Sequence, residues 1–346
     1  MAHTTPTATP PVLALSAVWA FGECALGGIQ HALKIPFTGI TVGGVAVAVL
    51  TVLAAWCRGL YTAGEAPGRT FSTLLTATGY VLAAKALASP HSPPMAFVAV
   101  GFQGLLAAVL FSTVRPFRTV ALLFAVLAML ESAGQKFLVL TLLFGASWWD
   151  ASTALLDVAA RALGSSGDDV GLGLLLAYLG LYAVWGAFLG WTISGAPARF
   201  TTYRAALLER WHAHTPSAAP LPSRSGRTRP HALRGALATL IGIVLSTGIL
   251  ALTGTDTPEL LRIVLRTLAA SILLFLVVGP ALRAAVHRLS RRPDTRASAL
   301  FLVDSLASTA DRWAFCRTFA AERHTRPLVR LYFSFEYLIH LSLAEN

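Results

Sequence analysis

Ionisable and amide side chains lie along one face of the first apolar segment of the chain. Glu23, Gln30, His31 and Lys34 are spaced so that they fall on one broad face of a helix. Such groups inside a membrane-spanning segment are costly unless they face a cavity or a partner. A carboxylate, an imidazole and an ammonium group together suit a polar or zwitterionic small molecule. We therefore predict that this segment forms one wall of a substrate pocket.

The same segment breaks at the sequence IPFTG, residues 35–39, before apolar sequence resumes. Proline fixes its own φ angle and lacks a backbone N–H, so it interrupts a helix here. We predict that this break is an outer loop that closes over the pocket as a lid. Its predicted substrate contacts are Pro36, Phe37 and Thr38.

Later apolar segments carry further candidates for the pocket. Glu131 and Gln135 lie one helical turn apart, and Gln103 lies near the middle of its own segment. Only three of the 27 basic residues are lysines, and all three lie within or at the ends of apolar segments. Lysine offers a compact ammonium group whose pKa shifts on burial, so we predict that these lysines contact the substrate. The alternative is that the side chains of Lys34 and Lys85 extend to the outer membrane–water interface. The candidates in these segments are Lys85, Gln103, Glu131, Gln135 and Lys136.

Small residues form a second ridge on the first segment, at steps of four. Such a ridge lets another helix backbone approach closely, so it predicts a packing seam. The functional interpretation is that a separate membrane subunit docks there. The ridge consists of Ser16, Ala20, Cys24 and Gly28.

Two patterns in a later segment favour packing over ligand binding. Gly186 and Gly190 form a GxxxG motif, which is typical of close helix contact. Tyr178, Tyr182 and Trp185 form an aromatic stripe at helical spacing, which is also more typical of packing than of ligand stacking.

Composition fixes the class of protein. The 346 residues are 55% hydrophobic and 12% charged, with a mean hydropathy of +0.65. Soluble domains carry about 25% charged residues, so we predict an all-α polytopic membrane protein in the plasma (inner cell) membrane. The net charge of +11 is distributed over alternate loops, as membrane orientation requires, and predicts no nucleic-acid partner.

Eight segments are long enough to cross a bilayer, which needs about 20 apolar residues. Arginines cluster in alternate loops, which places both termini in the cytoplasm and the IPFTG break outside. The fifth segment is longer than required and polar at its middle, which favours a tilt, a kink or local unwinding. The segments are 12–33, 40–57, 71–88, 95–114, 119–145, 170–194, 235–252 and 263–282.

The chain divides into four parts. Residues 1–195 form a six-span unit, and residues 196–234 combine an amphipathic stretch with a linker rich in proline, serine and arginine. Residues 235–289 form a two-span hairpin. Residues 290–346 form a tail whose alternation of apolar and charged residues predicts helices lying on the membrane surface or against a partner.

Enzyme and metal chemistry have little support in the sequence. No P-loop, GxSxG or HExxH motif is present, and we predict that the protein is not an enzyme and holds no cofactor. The three cysteines are far apart, and His212 and His214 lack further ligands nearby, so we predict no metal site.

The sequence GGIQHALKIPFTGITVGG, preceded by the small-residue ridge, resembles the first helix, outer loop and second helix of the substrate-binding S components of energy-coupling factor vitamin transporters. The resemblance covers about residues 12–195. It implies a vitamin-like substrate or a metal ion held by residues 34–39, Gln103, Glu131, Gln135 and Lys136. It also implies a transmembrane coupling subunit, docked at Ser16 and Ala20, and partner ATPases. The linker, hairpin and tail lie outside the resemblance, and the ridge begins with serine instead of alanine.

The leading hypothesis is a membrane-embedded protein that captures a small polar molecule for uptake. One alternative is a non-transporting scaffold whose polar residues lock helix packing and whose tail recruits a partner. Another is a membrane enzyme acting on a lipid-linked substrate, with Glu131 and His31 as acid and base.

Overall fold

The computed structural model describes residues 11–26, 38–61, 69–88, 94–145, 149–150, 152–153, 170–214 and 306–344, with scattered positions between 258 and 301. All regular secondary structure in these ranges is helical, and nine α-helices are described. They are α1 (Pro11–Phe21), α2 (Thr38–Cys57), α3 (Thr70–Ala88), α4 (Pro94–Thr113), α5 (Phe117–Phe144), α6 (Val170–Ser194), α7 (Ala196–His212), α8 (Leu306–Arg323) and α9 (Pro327–Ala344). A π-helix, Gly22–Leu26, continues α1.

Five of these helices are long and apolar enough to cross a membrane, so the protein is a multi-pass helical membrane protein. They are Gly39–Cys57, Thr70–Ala88, Met95–Thr113, Phe117–Gln135 and Leu175–Ser194, and a shorter apolar helix spans Pro11–Ala25. The second to sixth predicted segments therefore coincide with helices. The predicted segments 235–252 and 263–282 lie largely outside the described residues.

The fifth predicted segment forms one unbroken helix. The 28 residues of α5 run through Glu131 and Gln135 as continuous α-helix, without an unwound turn at that point. The helix ends at Gly145, whose φ of 72° is in the left-handed region that glycine adopts without strain. The polar middle of this segment therefore belongs to a regular helix, on which Glu131 and Gln135 share a face.

Helix α2 lies at the centre of the membrane bundle. Its membrane-crossing window is the most buried of the five, and it contacts α1, α3, α4, α5 and α6. Helix α6 lies at the periphery and exposes large apolar side chains such as Val184 and Trp191, as expected of a lipid-facing surface.

The GxxxG motif is a packing contact, as its spacing predicts. A methyl group added at Gly186 would come within 2.7 Å of the backbone oxygen of Ala125, and one at Gly190 within 2.7 Å of the Leu122 Cα. The backbones of α5 and α6 therefore touch, and only glycine permits this approach.

Helix α1 is enclosed by the chain itself. Residues 14–21 are all buried, and the neighbours of α1 are α2, α3, α8 and α9. Ser16 and Ala20 are both 0% exposed, and Cys24 is partly exposed. The predicted docking ridge is therefore not an open surface over its first half, and Gly28 lies outside the described residues.

The C-terminal tail forms a helical hairpin that is part of the bundle. Helices α8 and α9 pack on each other, both contact α1, and α9 also contacts α7. Nine residues of α9 are buried, including Ser334 and every residue from 336 to 343. The amphipathic faces predicted to meet a membrane surface or a partner thus meet α1 and α7 of the same chain.

Candidate functional site

Two of the predicted substrate residues form a buried ion pair between α1 and α3. Glu23 lies in the π-helix that follows α1. Turns of π-helix are rare in proteins, and those that occur are often at functional sites. Lys85 lies in the last turn of α3, and its Nζ is 2.5 Å from Glu23 Oε2. The two side chains are 5% and 7% exposed. The ring of Phe97, on α4, has its centroid 6.0 Å from the same nitrogen.

This geometry contradicts the predicted alternative that Lys85 extends to the outer interface. A lysine that extends to the membrane interface would expose its ammonium group, whereas the Lys85 residue is 4% exposed. The ammonium group is instead neutralised inside the bundle by a carboxylate 62 residues earlier in the chain. Removing either partner would leave a buried charge without compensation, which is strongly destabilising.

A second set of polar residues lies where α4 and α5 meet α2, and we call Gln103, Glu131 and Ser132 the central polar group. Gln103 is 3% exposed, and its amide nitrogen donates to Ser132 Oγ at 3.2 Å. Gln103 is also a hydrogen-bonding neighbour of Glu131. Glu131 Oε2 is buried and has no hydrogen-bond partner among the described residues.

Two glycines of α2 bring its backbone against this group. A methyl group added at Gly43 would lie 3.0 Å from Ser132 Oγ and 3.6 Å from the Gln103 amide nitrogen. One added at Gly39, a turn earlier, would lie 3.3 Å from Ser132 Cβ and 3.5 Å from the Tyr182 hydroxyl oxygen. Gly39 and Gly43 therefore allow polar side chains of α4, α5 and α6 to converge on the first half of α2.

The ion pair and the central polar group lie on different sides of α2. The π-helix that holds Glu23 packs against Val45, since a methyl group at Gly22 would lie 2.7 Å from Val45 Cγ1. Val45 and Gly43 are two residues apart, which is about 200° around a helix. The structure thus brings Glu23 to Lys85 and Gln103 to Glu131, and separates these two pairs by the central helix.

Gln135, the remaining described candidate, is bound to backbone. Its amide nitrogen donates to the carbonyl oxygen of Met95 at 2.9 Å and so ties α5 to the first turn of α4.

Several predicted substrate residues have no described geometry. Thr38 and Lys136 belong to α2 and α5, but their side chains are not among those described. The predicted acid–base pair of Glu131 with His31 is not described either, because His31 lies outside the described residues. Outside the described residues lie Gln30, His31, Lys34, Pro36 and Phe37.

Sequence reasoning missed Ser132 and did not place Tyr182 beside the central polar group. Ser132 carried no prediction, although it directly follows Glu131 and lies on the same helix. Tyr182 was predicted to pack, and it does so, since it is 0% exposed with its ring centroid 4.9 Å from that of Tyr178. The rest of the stripe also packs: Trp185 Nε1 donates to the Ile40 carbonyl oxygen at 3.2 Å.

A different buried polar array lies where α2 ends and α7 begins, and we call Tyr61, Arg199, Tyr203, Glu336 and His340 the junction network. Arg199 binds Glu336 through two nitrogens, with Nε donating to Oε1 at 3.0 Å and Nη2 to Oε2 at 2.6 Å. The Tyr203 hydroxyl donates to Glu336 Oε1 at 3.0 Å. His340 contacts the Tyr203 hydroxyl through Nδ1 and the Tyr61 hydroxyl through Nε2, the latter at 2.9 Å.

The direction of these hydrogen bonds fixes the histidine tautomer. Because Tyr203 gives its proton to the carboxylate, it accepts from His340, so Nδ1 carries the imidazole proton. Nε2 is then an acceptor, and the Tyr61 hydroxyl donates to it. The network runs in one direction from Tyr61 through His340 and Tyr203 to the carboxylate of Glu336.

The protonation states agree with this order. Burial lowers the pKa of His340 to about 4, so the imidazole is neutral at pH 7. Burial alone would raise the pKa of the Glu336 carboxyl, but the hydrogen bonds and charge interactions around it, the largest being the hydrogen bond from Arg199, together outweigh burial and hold the pKa below its usual value. The junction network therefore joins α7 and α9 to the end of α2 through one charged pair and a neutral histidine.

Comparisons with known proteins give no relative from which to take a function. No protein-family model matches the chain, and no curated protein or solved structure matches it.

Proposed function

We propose that the protein is an integral membrane protein that captures a small polar, vitamin-like molecule for uptake. The observation that carries the proposal is Glu131 Oε2, a buried carboxylate oxygen without a hydrogen-bond partner among the described residues. A buried acceptor left unpaired costs about 1–3 kcal/mol, and more when it is charged. A ligand that donates an N–H or O–H group to this oxygen would remove that cost.

The proposed site is the central polar group against the first half of α2. Gln103 and Ser132 supply an amide and a hydroxyl beside the carboxylate, and Gly39 and Gly43 let the backbone of α2 come close to them. A ligand held here would carry hydrogen-bond donors toward Glu131 and both donors and acceptors toward Gln103. We assign Gln30, His31, Lys34 and Lys136 to the rim of the same site, and the IPFTG segment, residues 35–39, to its lid.

The ion pair has a supporting role in this proposal. Glu23 and Lys85 neutralise each other, so neither charge is free for a ligand while the pair is intact. The pair fixes the π-helix to α3. Substrate specificity then depends on Glu131 more than on Glu23 or Lys85.

We further propose eight spans in the plasma membrane, with both termini in the cytoplasm and the lid outside. No nucleotide-binding motif is present in the sequence, so energy from ATP would come from a coupling subunit with ATPases, as the resemblance to S components implies. Such a subunit would contact Ser16 and Ala20 only if one of the helices around α1 moved aside, since both residues are fully buried.

A binding screen tests this function. Full-length protein purified in detergent is screened against vitamins and their precursors by thermal shift, and hits are measured by equilibrium dialysis. We expect at least one compound that raises the melting temperature and binds saturably, with binding weakened in Glu131→Ala and Lys136→Ala. Unchanged binding in these two variants would remove both residues from the site.

A second function, a non-transporting scaffold, is favoured by the internal pairing of the predicted substrate residues. Glu23 pairs with Lys85, Gln103 with Ser132, and Gln135 with the Met95 backbone. Side chains that only lock helices together would lower thermal stability when substituted, and no small molecule would raise it. The same screen therefore separates the two functions.

A further inference from the structure

A basic cleft opens between the ends of α2 and α4 and the start of α3. Its volume is about 690 Å³, and no carboxylate is among the residues that line it. Three of the lining residues are apolar: Phe71, Phe111 and Val114. The polar lining consists of three arginines and three hydroxyl-bearing residues: Arg58, Arg69, Arg115, Thr70, Ser72 and Ser112.

One of the three arginines is fixed in place by the protein. Arg58 Nη1 donates to the carbonyl oxygen of Arg115 at 3.0 Å, and Nη2 donates to those of Val114, at 2.6 Å, and Phe111. Its Cζ lies 5.8 Å from the centroid of the Phe111 ring. Arg58 thus caps the carboxyl end of α4 and holds a positive charge at the floor of the cleft.

The other two guanidinium groups are available to a ligand. Arg69 and Arg115 are exposed, and within the described part of the chain neither forms a salt bridge. Burial lowers the pKa of Arg58, and the nearby positive charge of Arg115 lowers it further. Three positive charges therefore share one cleft without a described counter-charge, an arrangement that an anion stabilises.

We propose that this cleft binds a phosphate group, carried either by an anionic lipid headgroup or by a soluble phosphate. Planar guanidinium groups match phosphate oxygens in paired hydrogen bonds. The cleft lies at the ends of membrane-crossing helices, which is the depth of phospholipid headgroups. The site is separate from the central polar group and stands whether or not that group binds a substrate.

Native mass spectrometry of the full-length protein tests the proposal. The protein in detergent is titrated with phosphatidylglycerol, with phosphatidylcholine of the same acyl chains, and with sodium phosphate against sodium chloride at equal ionic strength. The test variant is Arg69→Gln/Arg115→Gln. The control is Arg118→Gln/Arg317→Gln, which removes the same charge from two exposed positions outside the cleft.

We expect the test variant to bind phosphatidylglycerol about tenfold more weakly than the wild type, as the loss of charged hydrogen bonds implies, and the control to bind as the wild type does. Binding of phosphatidylglycerol without an effect of sodium phosphate identifies a lipid headgroup as the source. Competition by sodium phosphate identifies a soluble phosphate. If the double variant is unstable, Arg69→Gln and Arg115→Gln are measured singly, each with an expected loss of binding.

Two results would overturn the proposal. Equal loss of binding in the test and control variants would show that only the overall positive charge attracts the lipid. Wild-type affinity in the test variant would show that the arginines of the cleft do not bind the phosphate group.

Discussion

The junction network and the central polar group differ in how their hydrogen bonds end. In the junction network, donors run from Tyr61 through His340 and Tyr203 to Glu336, whose charge Arg199 balances. In the central polar group, Gln103 donates to Ser132, and one oxygen of Glu131 is left without a described partner. A closed network stabilises a fold, whereas a buried group with unused hydrogen-bonding capacity is suited to a ligand.

The Glu23–Lys85 pair resembles the junction network because its buried charges are paired within the chain. Breaking this pair has the largest expected effect on the free energy of unfolding. Lys85→Met keeps the shape of the side chain but leaves Glu23 buried and uncompensated, so we expect a loss of about 4 kcal/mol in the free energy of unfolding. Denaturant titration in mixed micelles measures it. The double variant Glu23→Gln/Lys85→Met should recover most of the loss, and a double variant as unstable as Lys85→Met would argue against a direct pair.

Removing the carboxylate of the junction network comes next. Glu336→Gln leaves Arg199 without its counter-charge and weakens the bond from Tyr203, so we expect a loss of about 3 kcal/mol in unfolding free energy. The matched control is Glu322→Gln, whose pair with Arg210 has side chains 49% and 52% exposed. That exposed pair should contribute under about 1 kcal/mol. Equal effects of the two substitutions would contradict the assignment of Glu336 to a buried network.

Acid should weaken the junction network through His340. The pKa of His340 is about 4 in the fold and 6.5 when unperturbed, so stability is full above pH 6.5 and falls as pH drops toward 4. From these values we expect a loss of about 2 kcal/mol between pH 7 and pH 5. The depressed pKa of Glu336 adds a loss only below its ordinary value of 4.5.

Melting curves across this pH range check the prediction. His340→Asn should flatten the dependence between pH 7 and pH 5, whatever its own stability. His324→Asn, at a less buried histidine, should retain most of it. A wild-type protein whose melting temperature is constant over this range would show that His340 is not buried as a neutral imidazole.

The contrast between regions also shows what sequence could predict. Helices α2 to α6 were predicted because each is an apolar run of sufficient length, and the contact at Gly186 because two small residues recur at a spacing of four. Polar residues of the membrane segments were recognised because charge inside such segments is rare. These features depend on local sequence.

Partners across the fold could not be predicted in this way. Lys85 and Glu23 are 62 positions apart, and nothing in either segment specifies the other. Arg199 served only to orient the membrane segments, and Glu336 and His340 lie in a helix whose amphipathic pattern does not reveal what covers it. The burial of α9 depends on its packing against α1 and α7, which is a tertiary property.

The measurement closest to the central claim is ligand binding by Glu131→Gln. This variant keeps the size of the side chain and removes the charge. We expect its unfolding free energy to change by less than about 1 kcal/mol, because the substitution breaks no described salt bridge and removes the cost of burying a charge. A compound that binds the wild type should lose about tenfold or more in affinity, because a hydrogen bond to a charged acceptor is lost. Glu322→Gln should bind as the wild type does. Equal affinity in Glu131→Gln and the wild type, or a complete panel without a binder, would contradict the assignment of the central polar group to substrate capture.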